Sequence, residues 1–405
     1  MKMYIYPADI LLPKRRDAAS MTLWATVACD QYTSQPEYWE RVEKLVGDAH
    51  STLRLMLPEA YLGKKENAAK SVHAAMRRYL DEGFFERFPD CAVYVERTQS
   101  DGRLRRGLVC CIDLEDYDYT PGSSSAVRAT ERTVAERIPP RLEIRRNAPL
   151  DMPHVMMLAD DPDDLILGRF AGREADAYSF PLMEGGGYVK GSFVTAEELA
   201  QADEALASLV RDGRPALAVG DGNHSLASAK AAYEELKAAD PSAAQGPARY
   251  ALCEIVNIYD EALEFEPIYR LVRTDEPSRL LAGFTDYACE RAGGAAQRFE
   301  IVCEGKKFGI MVPEAGFVLP VATLQHFLDT EGSRLGVLET DYIHGREELI
   351  SLASRPGYVG FLFEGMKKED LFDSVAKDGC LPRKTFSMGH AADKRYYLEC
   401  RKIGK

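Results

Sequence analysis

The chain lacks any apolar run approaching the ~18 residues a membrane-spanning helix needs; charge breaks its most hydrophobic windows well before that length. It also lacks a basic surplus, since 51 Lys+Arg stand against 64 Asp+Glu and leave a net charge of -13. A protein that coats nucleic acid carries the opposite sign, because such binding runs on phosphate neutralisation. Nine cysteines show no regular framework, which suits a reducing compartment. There is no C-x-x-C and no H-E-x-x-H, and His50, His73, His154, His326 and His390 have no mutual spacing that makes a metal site. A Walker P-loop is missing too, for GGGYVKGS (185–192) has glycines and a lysine in the wrong order. The start, MKMYIYPADILLPKRR, meets Pro7, Asp9 and Pro13 too early for a signal peptide and reads as an opening strand and turn. These absences lead to the expectation of a cytoplasmic protein with no nucleic-acid or membrane partner.

What is present is an ordinary globular chain of 405 residues, 46% hydrophobic and 28% charged, long enough for two or three domains. Apolar spacing of three and four predicts helices within 36–86, through Trp39, Val42, Leu45 and Val46 and again through Val72, Ala75, Met76 and Tyr79. CAVYVERT and RLRRGLVCCIDL flank Ser100-Asp101-Gly102 and predict a hairpin, with Cys110 and Cys111 facing opposite ways into a core. VRATERTVAERI predicts a helix stopped by Pro139-Pro140, followed by strands in RLEIR and HVMMLA. Gly185-Gly186-Gly187 reads as a flexible joint, and TAEE at 195–198 as a capping box. Strands are expected in PALAV, YALCEIVNIY and FEPIYRLVR, a hairpin in QRFEIVCEGKKFGIMV, and a final strand in RYYLECRKI. The expected architecture is mixed α/β, a core over 1–275 and a smaller α+β region over 276–405, with no internal repeat.

The segment PALAVGDGNHSLASAKAAYEEL carries the most chemistry. A buried strand runs into Gly220-Asp221-Gly222-Asn223-His224-Ser225 and directly into a helix. The first helical turn has unpaired N–H groups and the positive end of the dipole. Glycines let another molecule approach the backbone, and Asn223, His224 and Ser225 add donors, which together make a cradle for phosphate or carboxylate. A tight Asp-Gly turn with a capping Asn or Ser is the plainer alternative. Gly220-x-Gly222-x-x-Ser225 approaches the dinucleotide fingerprint but lacks its third glycine and its downstream acidic strand end, since Asp240 falls in a loop.

ACDQYTSQPEYW (28–39), RATERTVAERIPPRLEIR (128–145), PHVMMLADD (153–161), VGDGNHSLASAK (219–230), FEPIYR (265–270), DYIHG (341–345) and LPRKTFSMG (381–389) together resemble the bacterial family catalogued as domain of unknown function 1015. More remotely, strand–DGNHS–helix is similar to the signature loop of the ParB/sulfiredoxin superfamily, which includes free serine kinases, CTP-hydrolysing partition proteins and sulfiredoxin. That likeness implies a ParB/sulfiredoxin-like nucleotide-binding core in which Gly222, Asn223, His224 and Ser225 contact nucleotide phosphates. Asn223 stands where sulfiredoxin has its reactive cysteine, so sulfinic-acid repair is not implied. Ser225 stands where the serine kinases have arginine, so a clamp must come from elsewhere. No helix-turn-helix unit accompanies the loop, which disfavours a partition role.

On the expected 127–138 helix, Val127, Thr130, Val134 and Ile138 make an inward stripe and leave Arg128, Glu131 and Arg132 on an adjoining face. Two arginines there can serve one phosphate, with Glu131 as a general base, although a solvated, internally paired helix fits the same letters. Asp221 is a candidate for Mg²⁺ that a nucleotide would bring. Asp30 can bind a metal or amine or cap the helix near Gln35, and DDPDD (160–164) offers oxygen ligands but reads better as a solvated turn. His344 and Lys384 are loop residues able to close over a ligand, or simply turn residues. The expected function is a phosphotransferase using a nucleotide, ATP or ADP, on a small hydroxyl-bearing metabolite, with Glu131, Asp221 and His224 in catalytic roles and Gly220 in the phosphate loop. The alternatives are a non-catalytic nucleotide-binding regulatory module and a structural or interaction protein.

Overall fold

The computed structural model describes residues 2–62, 64, 67–133, 138–211, 213–290, 296–313 and 316–404. Alternating apolar residues make Phe85–Thr98 and Leu104–Asp113 an antiparallel pair, turned by a loop in which Gly102 takes φ +87°. This pair is covered on both faces. Val109 and Cys111 enter one hydrophobic cluster, and Leu108, Cys110 and Ile112 the other, as period-two alternation requires.

Around that pair a ten-stranded mixed sheet forms in the order Tyr117–Asp118, Val127–Ala129, Leu217–Asp221, Met156–Ala159, Tyr250–Asn257, Leu104–Asp113, Phe85–Thr98, Tyr188–Thr195 and Tyr178–Pro181, with Ala8–Pro13 also on Phe85–Thr98. Leu217–Asp221 runs parallel to Val127–Ala129 and antiparallel to Met156–Ala159. The fold is therefore mixed α/β. Helices Pro36–Val46 and Ala68–Asp81 bury Trp39, Val42, Val46, Val72, Met76 and Tyr79 of the stripes read from the sequence, while Leu45 is exposed. Thr195 and Glu198 form the capping box of Ala196–Leu209.

Three local expectations give way. Residues 127–129 are a strand, because β-branched Val127 sits in a parallel ladder beside Leu217 and the short segment has a buried sheet neighbour to join. The helix runs instead over Ile138–Arg145, with Pro139 and Pro140 in its first turn, where a missing N–H does no harm; RLEIR is thus helical and not a strand. The part of the expected helix at 134–137 lies outside the described residues. The three glycines at 185–187 form a packed turn: Gly186 makes room for the Tyr396 hydroxyl, and its carbonyl accepts a hydrogen bond from Arg97 at 2.9 Å.

By contacts the chain divides into two compact units. The first comprises Met1–Ala129, Thr133–Leu263 and Gly389–Lys405, and the second Thr130–Arg132 and Glu264–Met388. The tail thus returns to the first unit. There Arg97 and Arg105 donate to the Asp393 carbonyl, while Arg395 pairs with Glu254 at 2.7 Å and with Glu399. The second unit is an antiparallel sheet ordered Lys306–Pro313, Ala296–Cys303, Tyr358–Phe363, Phe265–Thr274 and Val337–His344, with Phe386–Met388 on Phe265–Thr274. Its core gathers Phe284, Phe299, Phe327 and Phe361. No helix among the described residues is long and apolar enough to cross a membrane.

Candidate functional site

Leu217–Asp221 ends at the glycine loop, and Asn223–Ala239 begins one residue later. Gly222, between them, has φ +81°, a left-handed conformation that strains any side chain. A Cβ there would lie 3.1 Å from the Val155 Cα and 3.5 Å from the His154 ring, while one at Gly220 would lie 2.8 Å from Leu158 Cγ. Both glycines therefore have reasons within the fold, beyond any ligand. Gly222 is also the N-cap, and it supplies no side chain, so the first turn of this 17-residue helix has no side-chain cap. Its N–H groups at Asn223, His224 and Ser225 form the positive end of the helix dipole. The Asn223 Oδ1 is buried without a hydrogen-bond partner.

Asp221 accepts a hydrogen bond from the Gly222 N–H at 2.9 Å and pairs with Lys394 Nζ at 3.0 Å. Burial alone would raise its carboxyl; the Lys394 ammonium outweighs that and, with His154 nearby, holds it below the usual carboxylate range. A carboxylate held down by an ammonium is a poorer proton acceptor than a free one. Among the described residues, no three His, Cys, Asp or Glu side chains come together as a metal site. Three of the four DDPDD carboxylates have partners: Asp160 pairs with Arg214, Asp164 with Arg106 through one oxygen, and Asp161 accepts from the N–H groups of Leu165 and Ile166.

The strand assignment of 127–129 changes the arginine pair. Arg128 is buried, and its guanidinium donates to the carbonyls of Ser125 at 2.8 Å and Gly213 at 3.0 Å. It fastens main chain to main chain. Glu131 and the exposed Arg132 belong to the second unit, where Glu131 bridges to Leu381 and lies in the field of buried Arg270. The three therefore do not share a helix face. His344 and Lys384 also lie in the second unit and are neighbours there; loss of solvent around the ring, then the Lys384 ammonium, lower the His344 imidazole. Arg270 donates to the Lys384 carbonyl at 3.0 Å, in a turn where Lys384 takes φ +58°.

Beside the loop, the first unit gathers groups that local sequence did not single out. His154 lies against Gly222, is 6% exposed, and shares a 2.7 Å hydrogen bond through Nδ1 with the Tyr397 hydroxyl. Burial and the neighbouring Cys29 thiol hold that phenol protonated far past neutrality. Burial, then the Asp30 carboxylate, push the Cys29 thiol up to about 12, so it is no thiolate nucleophile. Glu59 pairs with Arg141 and is nonetheless raised, because burial outweighs the guanidinium and Asp30 adds to it. Asp30 accepts from Gln31 Nε2 at 3.0 Å and does not cap Pro36–Val46, whose N-cap is Gln35. Cys29, Arg141, His154, Ser225 and Tyr397 line one cavity of about 120 Å³. The Asp221-Gly222 end of the loop was read from the sequence as part of a site, and His154 was not. Their meeting arises from Met156–Ala159 pairing with Leu217–Asp221.

No curated protein matches the sequence. Among solved structures, a free serine kinase variant in complex with AMP is similar at 11% identity and a TM-score of 0.36, over 73% of this chain and 92% of that one. A conserved hypothetical protein from Pyrococcus furiosus is similar at 13% identity and TM-score 0.33, over 73% and 95%. SbnI with a C-terminal truncation, from Staphylococcus aureus, gives 8%, 0.36, 72% and 82%. The family model described as protein of unknown function (DUF1015) matches residues 8–331, and the chain belongs to that family.

Proposed function

We propose that the first unit binds the phosphates of a nucleotide, ATP or ADP, at the start of Asn223–Ala239 and passes the terminal phosphoryl group to the hydroxyl of a small metabolite. The observation that carries this reading is a long helix whose N-terminus has no side-chain cap and stands beside an ammonium, Lys394. The resemblance of strand–DGNHS–helix to the serine-kinase loop supports the same assignment. Lys394, shared with Asp221, is the cation beside the loop in this reading, whereas Arg128 is bound to carbonyls.

Phosphoryl transfer depends chiefly on positioning and on stabilising charge, so backbone donors and one ammonium suit it. His154 is the proton acceptor in this reading. This requires the tautomer in which Nδ1–H donates to the Tyr397 hydroxyl oxygen, and no hydrogen bond to Nε2 occurs among the described residues. Mg²⁺ enters on the nucleotide phosphates and not through a protein cage. His224, on the first turn, adds a donor to the phosphates.

Phosphorus NMR on the full chain with ATP or ADP and a panel of hydroxyl-bearing metabolites tests the reading. A new phosphomonoester signal, lost in His154→Gln, is expected. Nucleotide binding with no turnover across the panel would instead favour the regulatory-module reading.

A further inference from the structure

The cavity beside the loop is walled mainly by apolar side chains, among them Leu55, Met56, Met76, Ile144 and Leu226. Its charged lining groups already have partners within the first unit: Arg141 with Glu59, and Arg145 with Asp151, which also holds Arg401. A zwitterion placed here would bury an ammonium and a carboxylate with no counter-charge left for either, which is strongly unfavourable. A neutral apolar body meets no such penalty. Two polar groups remain on the wall at the helix start, the Ser225 side chain and the His154 ring, the latter nine-tenths buried with Nδ1 held by Tyr397. At about 120 Å³ the space is somewhat smaller than the ~150 Å³ apolar cavity that takes up benzene, so it suits a group of roughly five or six carbon atoms.

We propose that this cavity receives the apolar body of a neutral alcohol, with the alcohol hydroxyl hydrogen-bonded to His154 Nε2 beside Ser225. The acceptor is thus an apolar alcohol and not a free amino acid. Its role as acceptor rests on the phosphotransfer reading above; its binding does not. In the transfer, the hydroxyl oxygen bonds to the terminal phosphorus of a nucleoside di- or triphosphate. The bond from that phosphorus to the bridging oxygen breaks, the nucleotide leaves one phosphate shorter, and the hydroxyl proton passes to His154 Nε2.

Saturation-transfer NMR on the full chain decides the matter, with 3-methylbutan-1-ol and cyclopentanol as probes and L-serine as the contrast. Wild type should transfer saturation to both alcohols and not to L-serine. The alcohol signals should be lost in Met152→Trp, which fills the cavity from a half-buried position, and in Ala229→Leu, which fills it from the helix. Silence from both alcohols, or signals unchanged in both filled variants, would overturn the proposal. ATP is titrated into the same samples with thermal unfolding as readout. ATP stabilisation with silent alcohols rejects the acceptor class and leaves the phosphate site standing. Alcohol binding without any nucleotide effect keeps the cavity and rejects phosphotransfer.

Discussion

The Asp221–Lys394 pair concentrates much of the chemistry of the loop in two side chains. Lys394 comes from the returning tail and neutralises a carboxylate that is only 20% exposed. Lys394→Met should cost about 2 kcal/mol at pH 7, since it strands a mostly buried charge; denaturant unfolding measures this. The pH dependence has a definite sign. Asp221 has a folded pKa below the ~3.9 of an unfolded aspartate, so its contribution is complete above that value and disappears as pH falls through the folded pKa. The stability gap between wild type and Lys394→Met should therefore be largest near pH 7, where Asp221 is charged in both, and shrink as pH falls toward and below about pH 4. A gap that widens on acidification would contradict the pairing. Of this site, Asp221 and Gly222 were legible from an Asp-Gly step between strand and helix. His154 was not, because its meaning depends on Tyr397, which lies 243 residues further on; histidine spacing can flag metal sites and has no means to flag a long-range phenol partner.

The element that matters most after the glycine helix is the C-terminal segment, which supplies Lys394, Arg395 and Tyr397. It is held by buried charge: Arg97, Arg105, Arg395, Glu254 and Glu399 are each at most 2% exposed. Gly107 has no side chain because Glu254 occupies that space, with Oε1 2.2 Å from where a Cβ would stand. Gly107→Ala should thus destabilise by about 1–3 kcal/mol, as overpacking does. Glu254→Gln should cost more, about 3–5 kcal/mol, by leaving buried guanidinium groups short of a counter-charge. Both are measured by urea unfolding, and limited proteolysis should cut the tail of Glu254→Gln first; resistance equal to wild type would argue against this anchoring. The sequence showed strands here and could not show arginines turned inward, since an Arg in a strand is ordinarily read as solvated. The 127–138 segment misled for a related reason. Val127, Thr130 and Val134 fit a helical stripe by spacing alone, yet a strand at 127–129 gains a buried parallel neighbour, and the two prolines open a helix as readily as they close one.

At the scale of the molecule, the mixed α/β architecture followed from helix and strand periods in long segments such as 91–112 and 217–239. The chain crossings did not follow, because no local pattern says that 389–404 rejoins the first unit or that 130–132 joins the second. That partition puts Glu131 and Arg132 in the second unit, and the phosphate site proposed for the first unit draws on backbone donors, His224, Ser225 and Lys394. The most direct test is calorimetry and thermal unfolding of the full chain with ATP, ADP, CTP and GTP, with and without Mg²⁺, comparing wild type with Ser225→Asp. A carboxylate in the first turn favours the helix dipole by about 0.3–1 kcal/mol, so the unliganded variant should be at least as stable as wild type. The same charge repels phosphate. Wild type should gain about 2.7 kcal/mol at a hundredfold excess of nucleotide over its Kd, and Ser225→Asp should gain nothing. No stabilisation of wild type by any nucleotide, or equal stabilisation of the two proteins, would contradict a phosphate site at the start of this helix.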